Sequence, residues 1–311
     1  MRDSKTAKSI FVIVTTQCNL RCTYCYERNK STSSAGFGTM QDRLAAELED
    51  EGFNGFDVIF HGGEPFMAFE TMKELSEWIW TQYPQKDIRC IATTNGTVLT
   101  DEMRRWLEAN HERFEVTLSL DGGRETHNRN RCNSFDKIDF AFFRRLWPKH
   151  RVKMTIGPDS IGRMFDDIQE ILAMGFRVNP SLAMEVKWDI DTVFDTFANE
   201  LEKLVQYYLD HPDMEPCPML SLSPALMAHP ESIPHNKACG AGTHVVAFDV
   251  NGNKYPCHSF ITDFVEPYDS SKSNELFCRL QSEDGLSLSP RCKGCLIYPY
   301  CEPCYGMNQN R

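Results

Sequence analysis

The chain has 311 residues and a formal net charge of −11, with 33 Lys and Arg against 44 Asp and Glu. That length suits one full catalytic domain with a small appendage, and the shortage of cations argues against a nucleic-acid surface, because few phosphate counterions would be released. No apolar run approaches a membrane span, and the stretch Ile10 to Val14 is too short for a signal peptide, so the chain is expected in the cytoplasm with no membrane partner.

Up to about residue 210 the pattern is strand, loop, helix, repeated. Strands are expected at Ser9–Thr15, Phe56–His61, Ile88–Thr94, Phe114–Leu120, Val152–Ile156 and Phe176–Ala183. Between them the apolar spacing predicts helices over Gln41–Glu51, Ala68–Tyr83, Asp101–Asn110 (with Thr100 as N-cap), Phe135–Trp147 and Ile161–Met174, and a last helix follows from Ile190 to Leu209. Strands that alternate with helices imply a parallel sheet. Six such units suggest an α/β fold, a partial (β/α)6 TIM-like barrel rather than an open doubly wound sheet, two arrangements that periodicity alone does not separate. The prolines then become frequent and helical periodicity fades. Val245–Val250, Asn251-Gly252-Asn253 and Lys254–Cys257 read as a β-hairpin. The expected division is therefore residues 1–210 as the barrel and 211–311 as a Cys-rich auxiliary domain, stabilised by bound metal.

The 13 cysteines are clustered, and in a reducing compartment clustered thiols are metal ligands more often than disulfides. Cys18, Cys22 and Cys25 sit straight after the first strand, at the end of a parallel sheet where active sites gather. Three thiolates at this spacing can hold three irons of a cubane and leave the fourth open. S-adenosylmethionine (SAM) can chelate that open iron, and one electron then splits a C–S bond to give a 5′-deoxyadenosyl radical. The alternatives are three buried thiols, or a zinc site that borrows a distant histidine.

Cys18-x3-Cys22-x2-Cys25, with Tyr24 just before the last cysteine, resembles the signature of the radical SAM superfamily. The resemblance implies that Tyr24 lies near the adenine. His61-Gly62-Gly63-Glu64-Pro65 after the second strand is similar to the family's GGE motif, which meets the methionyl ammonium. Thr93-Thr94-Asn95-Gly96 and Ser119-Leu120-Asp121-Gly122 end the third and fourth strands. In related enzymes these positions face the ribose and methionyl parts of SAM, so Thr94, Asn95, Ser119 and Asp121 join Gly62, Gly63, Glu64 and Pro65 as candidate SAM ligands.

A second set of cysteines, Cys239, Cys257, Cys292, Cys295, Cys301 and Cys304, is similar to the SPASM (or twitch) extension that carries auxiliary [4Fe–4S] clusters. The resemblance implies an outer cluster on Cys292, Cys295 and Cys301, and an inner one on Cys239, Cys257 and Cys304 with Cys278 or Cys217 as fourth ligand. This chain has C-x2-C where the family has C-x3-C and lacks a final cysteine, which leaves one or two auxiliary clusters open. A zinc knuckle is the alternative for the two C-x2-C pairs. His258 stands where sulfatase-maturase relatives carry an acid, and is the candidate base. Cys90 and Cys132 are given no role.

The resemblance implies a radical SAM oxidoreductase that abstracts hydrogen from a peptide or protein side chain, as in thioether or carbon–carbon cross-linking. A reductant such as flavodoxin or ferredoxin would supply the electron. The first strand begins too early for an N-terminal leader-binding domain, so either a separate leader-binding protein presents the peptide, or the Pro-rich stretch after residue 210 recognises it, or the substrate is not a leader peptide. A dehydrogenase acting on a sugar or nucleotide, and a zinc-binding interaction protein, are the competing readings.

Overall fold

The structure, a computed structural model, describes residues 7–27, 30–184, 186–220, 240–261, 269–281 and 304. The first six strands are β1 (Ala7–Thr15), β2 (Gly55–Gly62), β3 (Asp87–Thr94), β4 (Phe114–Leu118), β5 (Arg151–Ile156) and β6 (Arg177–Leu182). They alternate with α1 (Phe37–Leu48), α2 (Phe69–Gln82), α3 (Asp101–Asn110), α4 (Arg124–Asn130), α5 (Phe140–Leu146), α6 (Met164–Ala173) and the long α7 (Ile190–Asp210). Two further strands, β7 (Val245–Phe248) and β8 (Lys254–Tyr255), precede α8 (Ser270–Gln281). This is the α/β architecture with a parallel sheet that the alternating pattern requires.

One sheet has the order β4-β3-β2-β1-β7-β8, and β5 pairs with β6. A parallel bridge between Ser119 and Lys153 leads from the end of β4 to β5. The register is in step along β1 and β2, from Ala7 opposite Gly55 to Ile13 opposite His61. β5 and β6 match residue for residue, Arg151 with Arg177 through Ile156 with Leu182.

The chain forms two compact units. The first comprises Met1–Gln17, Asn29–Ile91 and Leu222–Arg311, and the second Cys18–Arg28 and Ala92–Ser221. In the first unit Ile10, Val12 and Val14 alternate along β1 as Phe56, Val58 and Phe60 do along β2, all fully or nearly fully buried. The apolar stripes of α1 (Met40, Leu44, Leu48) and α2 (Met72, Leu75, Ile79) are buried with them. In the second unit Phe114, Val116 and Leu118 of β4 and Val152, Met154 and Ile156 of β5 form the corresponding buried face. The intervening residues Glu115, Thr117, Arg151 and Lys153 are only half-buried or exposed, because successive strand side chains point to opposite faces.

Several elements differ from the sequence expectation. The helix expected over 135–147 is a single 3-10 turn, Phe135–Lys137, followed by α5. Asp139 caps α5 by accepting from the Phe142 amide at 3.1 Å. The segment Arg124–Asn130 (RETHNRN) carries no apolar stripe, yet it is helical. Helix α8 lies in a stretch read as loop-rich, and its Leu276 and Leu280 join a small apolar cluster with Ala247, Tyr255 and Phe260. The hairpin is present, with Phe248 opposite Lys254. Its first strand, however, runs parallel to β1, with Ser9 opposite Val245 and Val12 opposite Phe248.

An ion-pair group secures that addition. Lys8 of β1 is 6 % exposed and meets Glu47 and Asp50 at 2.7 Å each, while Lys254 of β8 meets Glu47 at 2.5 Å. Burial works against the Lys8 charge, but the two carboxylates more than offset it and raise its pKa.

Candidate active site

Within the second unit, the loop carrying Cys18, Cys22 and Cys25 is tied down at four places. Asn95, at the end of β3, donates to Asn19 at 2.8 Å and accepts from the Thr97 amide at 3.0 Å, while Asn19 donates to the Thr97 hydroxyl at 2.7 Å. The Arg21 amide donates to the Cys132 sulfur at 3.3 Å. The Thr23 amide donates to the Asn130 carbonyl at 3.0 Å. Tyr24 donates its hydroxyl to Asp121 Oδ2 at 2.5 Å.

Asp121 is the hub of this arrangement. It is fully buried, and Arg131 Nε donates to the same oxygen at 2.9 Å while the Thr155 amide donates to Oδ1 at 3.0 Å. The Arg131 guanidinium also lies over the Tyr24 ring, 5.5 Å from its centroid, a favourable cation–π geometry. Burial pushes the Tyr24 phenol well above its ordinary pKa, against the opposing charge of Arg131. For Arg131, burial works against the charge, yet Asp121 in first place raises its pKa. A buried cation paired at this distance is a rigid post, and Tyr24 is held against it.

Thr94 accepts from the Gly96 amide through its hydroxyl at 3.0 Å, and its carbonyl accepts from the Ser119 amide at 2.8 Å. The ends of β3 and β4 are thereby locked together within this unit.

His127 of α4 completes the network. Its Nδ1 accepts from the Asp121 amide at 3.4 Å, and Nε2 lies 3.0 Å from the Ser134 hydroxyl, which fits a neutral ring with the proton on Nε2. Burial, and then the Arg131 charge, lowers its pKa to about 4, with Asp121 opposing. The folded pKa is depressed for a cationic acid, so the fold favours neutral His127. Stability from this group is present above pH 6.5 and is lost as pH falls toward 4, by up to about 3 kcal/mol. Asp167, raised to about 6 chiefly by burial, has the opposite slope, since its buried carboxyl is favoured when protonated. We expect His127→Gln to remove one slope and leave the other, so the variant gains stability relative to the parent between pH 6.5 and 4.5. Urea midpoints at both pH values would show this, and parallel pH profiles would refute it.

Within the first unit, Gly62 and Gly63 close the turn after β2. Gly62 has φ +136°, and a Cβ there would lie 2.0 Å from the Thr15 carbonyl oxygen. A Cβ on Gly63 would lie 2.1 Å from the Gln17 carbonyl oxygen. The glycines are thus required because the turn's backbone is pressed against the end of β1, where Gly63 and Glu64 amides donate to Thr15 and Gln17 carbonyls at 3.0 and 2.7 Å. Glu64, 2 % exposed, accepts from the Phe66 amide at 3.2 Å and caps the 3-10 turn that opens at Pro65. His258 follows Cys257 on the hairpin side and stacks on Phe11 with ring centroids 4.4 Å apart, and His61 lies 5.2 Å from it.

None of the nine described cysteines is in a disulfide, and Cys18, Cys22 and Cys25 are each half-buried. Among the described residues no three His, Cys, Asp or Glu side chains converge on one point as a single-ion site needs. A cubane makes a different demand, because each thiolate meets its own iron. Three half-buried thiols on one pinned loop, none of them in a disulfide, are a donor set that fits it. Of the auxiliary candidates, Cys257 is half-buried and accepts from the Ser259 amide at 3.3 Å, Cys278 is exposed on α8, and Cys304 is half-buried. Cys239, Cys292, Cys295 and Cys301 lie outside the described residues. Cys217 is buried, and burial raises its thiol pKa even though Tyr208 donates to it.

The sequence profile of the Radical SAM superfamily matches residues 12–179, and the chain belongs to that superfamily. Its members use SAM and a [4Fe–4S] cluster, and the chain is an enzyme. Among its relatives is the cysteine-type anaerobic sulfatase-maturating enzyme of Clostridium novyi (strain NT), 23% identical over 94% of this chain and 87% of the relative. The enzyme of the same description from Clostridium perfringens (strain 13 / Type A) is 32% identical, over 45% of this chain and 40% of its own length. The solved structure of anSMEcpe with bound AdoMet has the same fold, with TM-score 0.72 at 20% identity, covering 94% of this chain and 88% of that one. No described helix is long and apolar enough to cross a membrane.

Three features of the site had no signal in the sequence. Arg131 pairs across the network with Tyr24, more than a hundred residues earlier. Cys132 anchors the cysteine loop, and it and Asn133 hold left-handed backbone at φ 55° and 54°, an uncommon conformation for residues with side chains. Asn19 looks like spacer within the cysteine motif, yet it bonds two residues of the β3 end.

Proposed function

We propose that this enzyme modifies a side chain of a peptide or protein substrate. Near-full-length likeness to maturases supports that reading. Besides the Clostridium novyi relative, the antilisterial bacteriocin subtilosin biosynthesis protein AlbA of Bacillus subtilis (strain 168) aligns over 96% of this chain at 23% identity.

In this proposal Cys18, Cys22 and Cys25 hold the cluster. Bound there, cluster and SAM supply a 5′-deoxyadenosyl radical for hydrogen abstraction, given one electron from a flavodoxin or ferredoxin. The observation that carries the reading is the cysteine loop pinned through Tyr24 to the buried Asp121–Arg131 pair. Tyr24 is fixed in orientation by a hydrogen bond at its hydroxyl and a guanidinium at its ring, so it can present a firm edge to an adenine. Asp121, with its oxygens engaged by protein donors, acts by holding Tyr24 and Arg131. Thr94, Asn95 and Ser119 stand at strand ends to bind the ribose and methionyl groups. Gly62, Gly63, Glu64 and Pro65 form the turn assigned to the ammonium. His258, its ring oriented by Phe11, is the candidate base.

The same proposal divides the chain into a barrel, residues 1–210, and an auxiliary iron–sulfur domain, residues 211–311. Cys239, Cys257 and Cys304 with Cys278 would hold an inner cluster, and Cys292, Cys295 and Cys301 an outer one.

The test is anaerobic incubation of the reconstituted enzyme with SAM, a reductant and candidate precursor peptides. We expect a mass change in a peptide that accompanies 5′-deoxyadenosine. Consumption of a sugar or nucleotide instead, with no peptide altered, would favour the dehydrogenase reading.

A further inference from the structure

Strands β4 to β6 carry a polar face that the reading above does not use. The second unit contains a cavity of about 420 Å³ lined by, among others, Thr93, Thr117, Lys153 and Asn179. These positions alternate with the buried Val116, Val152, Met154 and Val178, so the strand period of two places them on the opposite face. In register, Lys153 stands opposite Asn179 on one side and bridges to Ser119 on the other. The cavity extends from that level toward the beginnings of the strands, where Glu115, Lys149, His150 and Arg151 also line it.

The charges in this cavity do not balance. Arg151 is answered by Glu215 at 2.7 Å, and His150 lies 3.9 Å from Glu115. The Lys153 ammonium takes part in no hydrogen bond or ion pair among the described residues, and neither do the side chains of Thr93, Thr117 and Asn179. An ammonium, two hydroxyls and an amide therefore face one space without a protein acceptor. Lys153 stays exposed within the cavity wall, so its ammonium is open to a ligand. In a chain of net charge −11, an unanswered cation in a lined cavity marks a place for an anion.

We propose that this cavity binds a carboxylate, with Lys153 as its counter-charge and Thr93, Thr117 and Asn179 as neutral hydrogen-bond donors. The volume is that of an ordinary small-ligand pocket, large enough for an acidic residue and its flanking backbone. The carboxylate can come from an acidic side chain of a peptide or from a free dicarboxylate. The first source rests on the peptide-modifying function proposed above, and the second does not.

Calorimetric titration of the full reconstituted chain, held anaerobic and saturated with SAM, tests the site without turnover, so its outcome is independent of which substrate is modified. The probes are N-acetyl-aspartate amide, its uncharged isostere N-acetyl-asparagine amide, and succinate. We expect the aspartate probe or succinate to bind at least tenfold more tightly than the asparagine probe, the difference being roughly one charge-assisted hydrogen bond. Tighter binding of the aspartate probe points to a peptide carboxylate, and of succinate to a free one, and both support the site. Lys153→Met should erase the preference for charge and Lys153→Arg should retain part of it. Equal binding of the aspartate and asparagine probes to the parent protein, no binding of any probe, or an unchanged preference in a folded Lys153→Met variant would overturn the assignment. Binding seen without SAM but abolished by it would also overturn it, since the carboxylate site would then be SAM's own.

Discussion

Alanine in place of Cys18, Cys22 or Cys25 is expected to reduce 5′-deoxyadenosine formation to the level of an enzyme-free control. In the proposed site each thiolate would have its own iron to hold, so no neighbour could substitute for a missing one. The fold should persist, because the loop's anchors are Asn19, the Arg21 and Thr23 amides and Tyr24, none of which is lost. The buried faces of β1 and β4 contain none of these three cysteines. Far-ultraviolet circular dichroism and the thermal midpoint of the variants should therefore match those of the parent prepared without iron. A single variant that keeps substantial SAM cleavage would remove that cysteine from the site.

Asp121→Asn is expected to be the most damaging single change to the second unit. It keeps the shape of the side chain but leaves the Arg131 guanidinium buried at 7 % exposure without its anion. Removing one partner of a buried pair costs about 3–5 kcal/mol, whereas replacing both with apolar groups can be close to neutral. The double variant Asp121→Asn, Arg131→Met should accordingly recover much of the loss, a coupling that separates charge imbalance from simple loss of packing. Both variants also release the Tyr24 hydroxyl, so both should lose iron from the cysteine loop faster than the parent, whatever their stability. Urea unfolding and iron release into a chelator measure the two effects. Asp121→Asn within 1 kcal/mol of the parent would mean that the pair is not buried as described.

What the sequence revealed was local. The three cysteines, the paired glycines before Glu64 and the capped start of α3 at Thr100 all lie within a few residues of one another, and their spacing carries the chemistry. Strand alternation likewise marked β1 to β6 to within a few residues. Arg131 could not be found that way, because its partners Tyr24 and Asp121 lie in two different loops and nothing in RNRC distinguishes this arginine from Arg129 two places before. Helix α4 escaped because its seven residues offer no apolar stripe. It forms from what it carries, His127 and the Asn130 carbonyl, which bond to residues elsewhere in the unit. The hairpin at residues 245–255 was legible as a hairpin from Asn251-Gly252-Asn253. Its parallel pairing with β1 was not, since the match of Ser9 to Val245 joins segments more than two hundred residues apart and depends on non-local burial. The polar face of β4 to β6 was written plainly in FEVTLS and RVKMTI as alternation, but alternation in a parallel strand shows only that one face is wet. The cavity behind it is a property of four strands together, β3 to β6.

The most direct measurement is iron content and 5′-deoxyadenosine on one sample, purified anaerobically and reduced in the presence of SAM. The account predicts a brown protein with at least about four irons per chain, one cubane, that forms 5′-deoxyadenosine, and a triple Cys18→Ala, Cys22→Ala, Cys25→Ala protein that loses one cluster's worth of iron and all of that product. A colourless parent protein holding stoichiometric zinc, or a triple variant that still cleaves SAM, would contradict it.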